Sequence, residues 1–132
     1  MNFFSFVKQY VDQIGGQFTS YDSSQSIVVI PVTEGRFQTV LLSVSKSKGS
    51  GKERGLITSK VCEFSSSIKL KELLESNAQF DYSKFIIDGG TLKVETSFPL
   101  EGASEDDVKS MIQEVALLAD LYEMKLTGKD IH

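Results

Sequence analysis

Phe85-Ile86-Ile87, then Asp88-Gly89-Gly90, then the alternation Thr91-Leu92-Lys93-Val94-Glu95-Thr96-Ser97-Phe98 constrain this chain more than any other stretch. Adjacent glycines after an aspartate supply the positive φ angles of a two-residue hairpin turn. The alternation then places Leu92, Val94, Thr96 and Phe98 on one face and Lys93, Glu95 and Ser97 on the other. Such a strand is half-buried and antiparallel to its hairpin neighbour.

The flanking segments read as helices. Ser104 followed by Glu105, Asp106 and Asp107 reads as an N-cap with acids in the first helical turn. Val108, Met111, Ile112, Val115, Leu118, Ala119 and Tyr122 then mark one face of a long helix. Leu117, Leu121 and Met124 form a second stripe on its opposite side, expected to meet the N-terminal helix, a second subunit or a client. At the other end, Phe3, Val7, Tyr10 and Ile14 recur at helical spacing, with Phe4 and Val11 beside them. A helix is expected from Asn2 to Ile14, stopped by Gly15-Gly16.

Between the two ends, Gln17 to Asp22 reads as a short strand and Ser26 to Val32 as a β-branched one in which Pro31 marks an edge or a strand end. Glu34-Gly35 is a turn, and Phe37 to Val44 and Leu56 to Phe64 are two further strands joined by a glycine-rich connection from Ser45 to Gly55. Ile68 to Ser76 reads as a short helix with Leu70, Leu73 and Leu74 on one side, too short to bury all three. The order, α-β-β-β(-β)-α-β-β-α, describes one α+β domain over residues 1–132 with a largely antiparallel sheet.

Composition narrows the chemistry. With 40% hydrophobic and 24% charged residues in 132, the chain can bury a core without metals or disulfides. Cys62 is its single cysteine, so no internal disulfide and no multi-thiolate zinc site are expected. A net charge of −4 speaks against general binding to nucleic acid. No run is long and apolar enough for a membrane span, and the N-terminus does not read as an export signal, so a cytoplasmic location is expected.

Gly49-Ser50-Gly51-Lys52 departs from a phosphate-binding loop. Lys46 stands where the first glycine is needed, Glu53 replaces the Ser or Thr, and a strand follows in place of a helix. With Lys46, Lys48, Lys52 and Arg54, this segment reads as a mobile basic hairpin. His132 is the only histidine and lies at the terminus, Cys62 has no imidazole partner in view, and Glu105-Asp106-Asp107 is accounted for by capping. No catalytic, cofactor-binding or metal-binding residue is expected, and the protein is expected not to be an enzyme.

Leu73-Leu74-Glu75-Ser76-Asn77-Ala78, then Asp88-Gly89-Gly90-Thr91-Leu92-Lys93-Val94, then Phe98-Pro99-Leu100, then Ala119-Asp120-Leu121-Tyr122 form a pattern. It resembles the YbjN family of bacterial proteins and, more distantly, the class I type III secretion chaperones. The resemblance covers roughly the last half to two-thirds of the chain. It implies a strongly twisted antiparallel sheet with packed helices, a homodimer and a non-enzymatic role in binding another protein. The alternative it carries is a secretion chaperone that holds an extended segment of its client. Leu70, Leu73, Leu74, Leu117, Leu121 and Met124 are the candidate protein-binding residues.

Overall fold

The computed structural model describes residues 1–128; Lys129 and His132 lie outside the described residues. The elements follow as α1 (Phe3–Gln13), β1 (Gln17–Ser20), β2 (Gln25–Pro31), β3 (Phe37–Lys46), β4 (Glu53–Glu63), α2 (Leu70–Asn77), β5 (Lys84–Asp88), β6 (Thr91–Pro99) and α3 (Glu105–Thr127). The six strands form one antiparallel sheet in the order β1-β2-β3-β4-β6-β5. This is the expected α+β class and helix–strand order.

Local chemistry explains most boundaries. The Asn2 side chain accepts from the Ser5 amide at 3.1 Å and starts α1. Ser104 accepts from the Asp107 amide at 3.0 Å and starts α3, and Gly128 ends that helix in the left-handed region. Asp88 pairs with Thr91 across Gly89 and Gly90, both at positive φ, as a two-residue hairpin requires. Pro31 proves to be a strand end, since β2 lies inside the sheet between β1 and β3.

One expectation is corrected at the basic hairpin. The connection is shorter than Ser45–Gly55, because Ser45 pairs with Arg54 and Lys46 with Glu53, so only residues 47–52 bridge the strands. Opposite charges at Lys46 and Glu53 favour continued pairing. Gly55 belongs to β4 for a packing reason: a Cβ there would stand 2.5 Å from the Phe98 ring.

All three helices cover the same face. Val28, Ile30, Val40, Leu42, Ile57, Val61, Leu92 and Val94 point into the core from the sheet and meet Val7 and Val11 of α1 and Ile112, Val115, Ala116 and Ala119 of α3. The alternate residues Ile27, Val29, Leu41 and Leu56 point the other way, and among the described residues no helix lies over them. The inner face of α3 also differs from its apolar reading. Ala116, Asp120 and Glu123 are buried, whereas Leu118 and Tyr122 sit at its margin.

Candidate protein-binding surfaces

The leucines singled out by sequence divide. Leu73 is a core residue, 5% exposed, whereas Leu70 and Leu74 stand in solvent on the outer side of α2. Leu117, Leu121 and Met124 are exposed together on the outer side of α3. The N-terminal helix does not cover them, which corrects one of their three expected partners. Its aromatics are spent elsewhere: the Phe3 ring meets Phe98 edge-on at 5.6 Å, and Phe6 stacks on Tyr10 beneath the Lys109 ammonium. Gln113 fixes α1 to α3 by donating to the Tyr10 hydroxyl at 2.6 Å.

The hairpin cations do not form one cluster: Lys52 and Arg54 line a common cleft in company with Glu53 and Glu101, and Lys46 and Lys48 are not part of it. Lys48 and Lys52 occupy the turn, while Lys46 and Arg54 are exposed strand residues, Lys46 with Glu53 opposite it and Arg54 with Pro99 as its neighbour on β6. Cys62 is buried, and desolvation followed by the nearby Glu123 and Glu63 carboxylates raises its pKa. Those surroundings suppress the thiolate on which cysteine nucleophiles depend. Among the described residues no group of three or more His, Cys, Asp and Glu is arranged to hold a metal ion, and no helix is long and apolar enough to cross a membrane.

Two polar anchors escaped the sequence reading. Arg36, just before β3, grips Asp120 on α3 with Nη2 donating at 2.8 Å and Nε at 3.1 Å. That contact raises the guanidinium pKa further above its ordinary value. Glu114 on α3 accepts from the amides of Asp81, Tyr82 and Ser83 at 2.8–2.9 Å and so clasps the segment before β5. Burial pulls its pKa upward, but the hydrogen bonds from Ser83, Asp81 and Tyr82 outweigh it and the net shift is downward. Neither acid has a local motif: their partners lie 84 and 31–33 residues away.

The two sheet edges differ. At β5, the outward amide of Phe85 donates to the Asn77 side chain at 2.8 Å, so the end of α2 occupies that position of the edge, while the backbone of Ile87, two residues on, turns outward as well. At β1, the Tyr21 amide donates to Gln25 O at 3.1 Å and sets the hydrogen-bonding register of the β1–β2 ladder. Alternation then turns the backbone groups of Gln17 and Thr19 toward β2 and those of Phe18 and Ser20 outward. Among the described residues no strand lies beyond β1. A groove of about 840 Å³ runs there between β1, where Phe18 forms part of its lining, and the polar side of α1 with Ser5, Lys8, Gln9 and Asp12.

No protein-family model matches the chain, and no curated protein is significantly similar to it.

Proposed function

We propose that this protein is a non-enzymatic binding module of the YbjN-like kind, holding an extended segment of another protein along the open edge of β1. The observation that carries this reading is the outward-turned backbone of Phe18 and Ser20 beside the α1 groove. An extended segment laid on that edge gains main-chain hydrogen bonds from Phe18 and Ser20. Its side chains fall alternately into the groove, where Lys8, Gln9 and Asp12 offer polar contacts. The sequence resemblance, which implies a protein-binding role and a held client segment, supports the same reading. It also supports pairing into a homodimer, for which the exposed Leu117, Leu121 and Met124 stripe is available to a second copy.

The test uses peptides selected by display on the immobilised protein. Binding is expected to slow amide exchange at Phe18 and Ser20. Ser20→Pro removes an outward N–H that no ladder bond uses, so the variant should fold normally and bind at least about tenfold more weakly. Selected peptides that bind Ser20→Pro as well as the wild type, or that protect amides elsewhere only, refute the proposal.

A further inference from the structure

On the uncovered face of the sheet, Lys60 of β4 and Lys93 of β6 are direct cross-strand partners. Like charges directly opposite one another disfavour a strand pair. Each lysine leans away to an acid on the periphery, Lys60 to Glu63 at 2.9 Å and Lys93 to Asp88 at 3.0 Å. Both acids are mostly solvent-exposed, so these pairs are weak and exchangeable. Beside the two lysines lies a cleft of about 610 Å³, with Ile27 and Leu41 as its apolar part and the Thr39 and Thr58 hydroxyls between. No acid lines it. Glu95, next along the row, has Lys84 within 3.9 Å.

We infer that this cleft receives an acidic and an apolar side chain from an extended segment of a partner polypeptide, the carboxylate between Lys60 and Lys93 and the apolar group on Ile27 and Leu41. A carboxylate there converts an unfavourable pair of like charges into an alternating series of acid and base. The occupant is a polypeptide and not a small metabolite for a geometric reason. Apart from Ser59, whose side chain turns into the core, the lining side chains all come from one sheet face, so among the described residues no second wall encloses a small molecule, whereas specific small-molecule sites enclose most of their ligand. In an extended chain, residues two apart face the same way about 7 Å from each other, which lets one strand present both groups to the sheet. This surface is separate from the β1 edge and binds whether or not that edge does.

The probe is a fluorescein-labelled ten-residue peptide in which leucine and glutamate alternate at every second position with threonine between them, read by fluorescence anisotropy. Saturable binding is expected. It should weaken by about tenfold or more in the double variant Lys60→Gln, Lys93→Gln, weaken with added salt, and fall similarly in Leu41→Asp. These side chains are all at least partly exposed on the open face, and near-UV circular dichroism confirms that each variant is folded. Ser20→Pro should leave the affinity unchanged. Equal binding of a peptide with lysine in place of glutamate overturns the inference, as does undiminished binding to the double lysine variant. Loss of binding in Ser20→Pro would place the peptide on the β1 edge and also overturn it. Displacement by octanoate at the peptide's own concentration would assign the cleft to a small amphiphile instead, with the same consequence. A peptide that fails to bind the wild type overturns it outright.

Discussion

Arg36 and Asp120, 84 residues apart, form a forked ion pair that fastens the β2–β3 connection to the inner face of α3. The Asp120 side chain is 4% exposed, and the Arg36 side chain is 24% exposed and also reaches Thr33 and Glu34. Asp120→Ala is expected to cost about 2 kcal/mol in urea unfolding, since charge-assisted hydrogen bonds and the buried site are both disturbed. Arg36→Lys keeps the charge but loses the planar fork, so it should destabilise in the same direction. In the double variant the losses should be less than additive, which measures the coupling directly. Strict additivity would mean that the pair is only incidental.

Glu114 makes the stability of the α2–β5 connection depend on acid. Its carboxylate pKa is lowered in the folded state by the Ser83, Asp81 and Tyr82 hydrogen bonds, which prevail over burial. The folded state therefore holds the proton less tightly than the unfolded chain. Its contribution is complete above the ordinary glutamate pKa of about 4.3 and is lost as pH falls through the lower folded value. Glu114→Gln should lower stability at pH 7 by about 1–2 kcal/mol and flatten the acid limb of the stability–pH curve. Parallel wild-type and variant curves from pH 3 to 7 would contradict this.

Leu121 tests the proposed homodimer. The side chain is 51% exposed and takes no part in the core, so Leu121→Glu should change stability by less than about 0.5 kcal/mol. Light scattering at micromolar concentration is expected to give twice 14.6 kDa for the wild type and 14.6 kDa for the variant. A monomeric wild type would remove the dimer, and a variant that keeps twice the chain mass would show that the stripe is not its interface.

The basic hairpin should divide in amide exchange. Ser47, Gly51 and Lys52 donate hydrogen bonds within the turn, while Arg54 and Gly55 belong to ladders with β3 and β6. Lys48, Gly49 and Ser50 should exchange fastest among the internal amides, and Arg54 and Gly55 should be protected. Slow exchange at Lys48 to Ser50 would mean that the turn is docked on a partner.

Much of this architecture was decided locally. Asp88-Gly89-Gly90, the Ser104 cap and the alternation from Leu92 to Phe98 act through backbone geometry within a few residues, so they determine the hairpin, the start of α3 and which strand face is apolar. Periodicity likewise placed Val108, Met111, Ile112 and Val115 in the core. The length of the β3–β4 hairpin was not decided in this way, because Gly55 looks like a turn residue until the Phe98 ring, 43 positions later, fills the space of its side chain. Asp120 and Glu123 look like solvated helix positions until the sheet and Arg36 come against them. Tertiary structure alone also placed β1 and β5 at the edges, engaged the Phe85 amide of β5 through Asn77, and brought Lys60 and Lys93 into register on the face opposite the helices. Strand order and cross-strand register depend on contacts between distant residues, whereas propensity and pattern act only along the chain.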